Sequence, residues 1–239
     1  MSDQWRGWTR IGRRQGARGG RQILSVLLLA ALLFGCAGPL RQWGSETSLV
    51  SRAPGFDPSL LQQRRVAVVN ALVGFGYEGF GHQVSRSLSH TLRDEYPALA
   101  VLSPQDAISR INQAGLSKEY TDLVAAYMQS GVLHQEDLRR IGDALMVDYV
   151  FQPIMASFEQ SVWERFSFLG VRLFQTRVSV LRLSLQLWDT KTGGIAWESS
   201  GEATLAGEDV REYRIPFEEI AHRLWRQILK DLAPAPASS

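Results

Sequence analysis

Cysteine occurs once in the 239 residues, at Cys36, which excludes an intrachain disulfide and any zinc site built from several cysteines. Lysine is nearly absent (Lys118, Lys191, Lys230), so almost every cation is an arginine. A membrane-spanning helix needs roughly 20 consecutive apolar residues. The longest run here, Ile23 to Gly35, has 13. Acids are missing from the first 21 residues except for Asp3, while Arg6, Arg10, Arg13, Arg14, Arg18 and Arg21 all fall there. The remainder holds 20 basic and 23 acidic side chains, so the net charge of +2 conceals a slightly acidic body. Such a body has no basic stripe to neutralise phosphates, which excludes nucleic acid as a partner. With 45% hydrophobic and 21% charged residues, the composition excludes long disorder and a polytopic membrane protein.

The N-terminus reads as an address. A positive segment followed by an apolar run of 7–15 residues is the secretory signal pattern. The run stops at Cys36, and Leu33-Phe34-Gly35-Cys36 resembles the lipobox of bacterial lipoproteins. That resemblance implies a signal peptide over residues 1–35, cleavage between Gly35 and Cys36, and Cys36 as the lipidated first residue of the mature protein. More than one acyl chain makes such anchoring stable, at about 0.8 kcal/mol per buried CH₂. Ala37 follows the cysteine, which by the same resemblance implies the outer membrane, with the domain in the periplasm.

Residues 36–64 are rich in glycine, proline and serine without a sustained period, and read as a flexible tether. Fully extended at about 3.4 Å per residue it would reach on the order of 90 Å. The tail 233–239 reads as disordered. Residues 65–232 are one domain's worth of chain. Val66–Val69 and Leu99–Leu102 have the apolar character of buried strands, and Val147–Phe151 is a third, with Pro153 marking a bend or an edge. Val84, Leu88, Thr91 and Leu92 recur at helical spacing. Ser103-Pro104-Gln105-Asp106 opens a second helix, with serine as its N-cap, and helical stretches follow around 118–130 and 135–145. Residues 177–188 alternate as a long strand whose parity break at Val180-Leu181 predicts a bulge. Asp189 to Gly194 is hairpin chemistry, with Trp188 and Trp197 as strand aromatics and the return strand over 195–205. Phe217, Ile220, Ala221, Leu224, Trp225, Ile228 and Leu229 make the apolar stripe of a last helix. The pattern predicts an α/β fold: a single small domain with a mixed sheet, helices packed against it and a C-terminal helix.

Catalytic chemistry has no foothold. There is no G-x-S-x-G and no S-x-x-K, and Cys36 is assigned to lipid. His82, His90, His134 and His222 share no ligand spacing, so no metal site is expected. Glu218 and Glu219 are first-turn helix acids, favourable beside the helix dipole. Gly74-Phe75-Gly76-Tyr77-Glu78-Gly79 fits G-x-G-x-x-G, yet Ser103 stands where an acid should bind the ribose. Gly74, Gly76, Gly79 and Gly81 therefore read as a mobile loop, and no cofactor is expected. Residues 158–174 carry Trp163, Phe166, Phe168 and Phe174 between the third and fourth strands. Two readings stay open for them: ordinary strand and core, or an aromatic insertion that touches a partner or the membrane.

Taken in order, Arg65–Val69, the glycine loop, Leu99–Ser103, Ile141-Gly142-Asp143 to Val150 and Leu185 to Trp197 resemble one superfamily. It contains the curli-secretion lipoprotein CsgG, the penicillin-binding-protein activator LpoB and the N-terminal domain of TolB. The resemblance implies a non-catalytic α/β domain that binds envelope proteins in assembly, secretion or cell-wall regulation. It leaves open self-association, and as an alternative a ring-forming export component of the curli-secretion type. A spanning β-strand needs about 9–11 alternating residues. Only residues 158–176 supply length beyond the strands of the domain, which disfavours a pore.

Overall fold

The computed structural model describes residues 41–168, 171–209 and 216–232. Its first element contradicts the tether reading. Arg41–Arg52 is a 12-residue strand, β1, paired antiparallel along the last long strand of the sheet. Only its inner face meets the core, where Trp43 packs under the Arg223 guanidinium at 5.4 Å from the ring centre. A strand with one neighbour and one covered face needs few apolar residues, which is why its sequence resembles a linker. A 3-10 turn over Pro58–Gln63 follows, capped by the Asp57 carboxylate.

The expected strand–helix alternation comes next: β2 (Arg65–Val68), β3 (Leu72–Val73), α1 (Gly81–Glu95), β4 (Ala100–Leu102), α2 (Pro104–Gln113), α3 (Ser117–Ser130) and α4 (Gln135–Leu145). Three long strands then complete the sheet: β5 (Tyr149–Phe168), β6 (Val171–Asp189) and β7 (Ile195–Asp209), before α5 (Phe217–Ile228). The spatial order is β1-β7-β6-β5-β2-β4, with β3 also on β5. β2 pairs parallel with β4 and β5, and β3 parallel with β5; the remaining pairs are antiparallel. The molecule is thus an α/β domain with a mixed seven-stranded sheet and a C-terminal helix.

Strand periodicity places the helices on both faces. Val66 and Val68 of β2 point to one core, with Leu181, Leu183, Leu185 and Leu187 of β6 and the apolar stripes of α1 and α5. Ala67 and Val69 point to the other, with Ile111, Leu123, Leu138, Ile141, Leu145 and Trp188, under α2, α3 and α4. Among the described residues this second layer covers the β4–β2–β5 side and the Trp188 end of β6. Farther along the same face, Glu46, Ser48, Arg182, Ser184, Ser200 and Glu202 line an open groove of about 390 Å³.

Two local expectations change. β6 keeps its alternation through Val180 and Leu181: Leu181 is buried and Val180 is an apolar residue on the outer face. The bulge lies on its partner strand instead, at Ala156, where pairing steps from Met155↔Leu183 to Ser157↔Arg182. Pro153 does not end or edge its strand. It sits mid-strand, between the residues that pair with β2 (through Phe151) and those that pair with β3 (from Ile154), so its missing N–H costs no ladder bond to those strands.

Candidate functional site

The glycine segment is a built turn. Tyr77 donates its N–H to the Gly74 carbonyl at 3.1 Å, and Gly76 has φ +85° at the position where a type II turn requires it. Gly74 donates to the Met155 carbonyl at 3.0 Å, and a β-carbon on it would stand 2.9 Å from the Ala156 carbonyl oxygen. The turn is thereby pressed against the β5 bulge, an approach only glycine permits. Glu78 closes it by accepting from the Gly76 N–H at 3.1 Å. The backbone N–H groups of Glu78 and Gly76 hold that carboxyl below the usual carboxylate range. Gly79 lies in a 3-10 turn and Gly81 begins α1. The product of this arrangement is Phe75, fully exposed (100%) at the crown of the turn. The sequence reading singled out the glycines and passed over this residue, although an aromatic between two glycines was its signal.

The second candidate is the outer part of β5 and β6. Residues 163–168 and 171–175, for which strand and insertion both stood open, continue the two strands as an antiparallel ribbon. The register places Trp163 opposite Thr176, and Phe166 opposite Phe174; Phe168 pairs with Val171. The structure therefore brings the four aromatics onto one ribbon, and sets the glycine turn apart from them beside Ala156. Phe158, nearer the root, is ordinary core: its ring meets Phe80 at 5.4 Å and Phe217 at 5.2 Å.

A third region concerns the motifs that carried the family resemblance. Gly142 of α4 lies against Thr190 in the β6–β7 turn, and Gly193 of that turn lies against Gln135 at the start of α4. Gln135 also donates its side-chain amide to the Lys191 carbonyl at 3.0 Å. The Asp189 carboxylate caps the turn by accepting from the N–H groups of Lys191 (2.8 Å) and Thr192 (3.1 Å). These residues dock a helix onto a hairpin, so their role is architectural.

His82 and His90 are exposed on α1, as expected of solvated helix residues. His222 lies 2.9 Å from the Thr91 hydroxyl through Nδ1 and ties α5 to α1. Among the described residues no group of His, Cys, Asp and Glu is placed to hold a metal ion, and no helix is long and apolar enough to cross a membrane. Gly35, Cys36, the signal segment and the tail 233–239 lie outside the described residues.

No family model matches the chain, and no curated protein matches it. Solved structures overlap with it in part. The PelC dodecamer from Paraburkholderia phytofirmans is 15% identical, covers 82% of this chain and 100% of its own, and has a TM-score of 0.41. The LpoB C-terminal domain from Salmonella enterica is 16% identical over 58% of this chain and 81% of its own, at 0.36. Lipoprotein GNA1162 from Neisseria meningitidis is 13% identical over 70% of this chain and 96% of its own, also at 0.36. At identities of 13–16% and TM-scores below 0.5, these overlaps assign the chain neither a family nor a role.

Proposed function

We propose that the chain is a non-catalytic envelope lipoprotein, anchored in the outer membrane through Cys36, whose periplasmic α/β domain binds another envelope protein. The order of arginines, apolar run and single cysteine supports the anchor. The observation that carries the binding reading is Phe75, held fully in solvent by a turn with fixed backbone hydrogen bonds. Burying a phenylalanine side chain contributes about 1.5–3 kcal/mol. A rigid mount keeps that gain from being lost to loop ordering on association. The expected contact is therefore an apolar pocket on the partner that receives this ring.

A photo-crosslinking residue at position 75, in cells, tests the reading. It should give a discrete adduct with an envelope protein, and the same residue at His90, on the exposed side of α1, should not. Phe75→Ser should abolish co-purification of that partner. Absence of any adduct at position 75 would sink the docking role. An unchanged intact mass at Cys36, together with a Cys36→Ala variant that stays equally membrane-bound, would sink the anchor.

A further inference from the structure

The two sides of the sheet carry opposite charge. On the side of the open groove, the register sets Glu46, Glu202 and Arg182 in one row across β1, β7 and β6. Glu159 of β5 lies opposite Val180 on the same side, and Glu198 stands farther along β7, where it accepts from the Gln186 amide at 3.0 Å. Among the described residues these four carboxylates meet one guanidinium, Arg182, which Glu202 already engages at 2.6 Å. Ser48, Ser200 and Ser184 form the row between the Glu202 and Glu198 levels. Their short side chains leave a trough across three strands. Glu202 and Glu198 are four residues apart, about 13 Å at 3.3 Å per residue. That width matches the roughly 10–12 Å diameter of an α-helix.

The helical side is the reverse. α1 is mostly buried, and its exposed stripe runs through His82, Arg86, His90 and Arg93 at spacings of four, four and three. The acids of this side are largely taken. Glu219 is shared by Arg41 at 3.0 Å and Arg223 at 3.1 Å, and Glu95 holds Arg226 at 2.7 Å, which leaves the exposed Asp94. Arg86 and Arg93 have no ion-pair partner among the described residues. They stand about 10 Å apart along the helix axis at 1.5 Å per residue.

We propose that the occupant of the open groove is the α1 side of a second copy of this chain. Charge complementarity selects it: the unpaired Arg86 and Arg93 of one copy meet the carboxylates beside the trough of the next. The neighbour's helix then covers the part of the sheet where α2, α3 and α4 end. α1 packs on the core beneath the face opposite the groove, so the complementary surfaces lie on opposite sides of one molecule. Two copies cannot satisfy both contacts at once, and association therefore runs head to tail. Because the trough is polar and open, charge governs the contact, and salt weakens it. The screening length falls from about 10 Å at 0.1 M to about 3 Å at 1 M. The inference depends neither on Phe75 nor on the anchor.

Sedimentation velocity of the full chain in mild detergent, over a concentration series, tests it. In low salt the weight-average mass should climb above the monomer with concentration, and about 1 M salt should return it to the monomer. Arg86→Glu with Arg93→Glu sets acid against acid. Glu46→Lys with Glu159→Lys sets base against base. Each pair of substitutions, at exposed positions, should hold the chain at the monomer with unchanged circular dichroism. In an equimolar mixture of the two variants every junction again joins opposite charges, so the mass should climb as it does for the unaltered chain. An unaltered chain that stays monomeric throughout, a variant that assembles as before, or a mixture that stays monomeric would each overturn the proposal.

Discussion

Gly142→Ala isolates one contact with opposing contributions. Within a helix, alanine is favoured over glycine by about 1 kcal/mol, so an unobstructed site would be stabilised. Here the new β-carbon would stand 2.4 Å from the Thr190 β-carbon, 2.6 Å from its γ-carbon and 2.8 Å from its hydroxyl. Non-bonded carbons prefer about 3.5–4.0 Å. Thr190 cannot easily retreat. Its hydroxyl lies 3.1 Å and 2.9 Å from the carbonyls of Val147 and Asp148, and its N–H donates to Asp148 at 3.1 Å. Overpacking of a tight core costs about 1–3 kcal/mol, and a pinned neighbour puts this site at the upper end. The net expectation is a loss of about 2 kcal/mol, equivalent to a Tm lower by about 4–8 °C for a domain of this size. Urea denaturation followed by circular dichroism at 222 nm measures it. Thr190→Gly removes the obstructing atoms, so in a double-mutant cycle the pair should be less destabilised than the sum of the singles by more than about 1 kcal/mol. A stabilised Gly142→Ala, or strict additivity, would refute the reasoning.

Three further outcomes follow from local geometry. Ser103 caps α2 by accepting from the Asp106 N–H at 3.2 Å, so Ser103→Ala should lower unfolding free energy by about 1 kcal/mol in denaturant melts. Met146 holds φ +56° after the end of α4 with its side chain largely exposed, so Met146→Gly should raise stability by about 1 kcal/mol in the same assay. Burial against the second core pushes the Tyr120 hydroxyl from 10.0 up to about 12. The unfolded chain then loses this proton at lower pH than the folded one. Its contribution to stability is intact below about pH 10 and is lost as pH rises toward 12. Burial also raises Tyr96, Tyr127 and Tyr149, so ultraviolet titration at 295 nm should show several late tyrosines, of which Tyr120→Phe removes the one near 12.

Helices were legible because several signals coincided. The stripe from Phe217 to Leu229 is buried throughout, and Ser103 caps α2 as expected, with the left-handed Gly115 just past its end. The central strands showed for the same reason, through dense apolar runs. What failed was the periphery. β1 gains its order from pairing with β7, some 150 residues away, and not from its own hydrophobicity. Pro153 reads as a strand breaker unless one knows that two short parallel partners leave a gap beside it. The Gly142–Thr190 and Gly193–Gln135 contacts were present in the motifs only as separate residues, because nothing in one sequence pairs positions 48 and 58 apart. Phe75 was hidden by its flanking glycines, which signal a loop without saying whether that loop is fixed.

The placement of β1 also has a mechanical meaning. A tug on the N-terminal connection along the strand axis acts on 11 register pairs between β1 and β7 together. The load is then borne in shear, and no single hydrogen bond can fail ahead of the rest as it would in peeling. The Arg41–Glu219 ion pair at 3.0 Å adds a clasp to α5 at the point where the force enters. A domain built this way, pulled from its N-terminus, meets the load along β1 and β7, while the two cores beneath α1 and α5 and beneath α2 to α4 keep their packing.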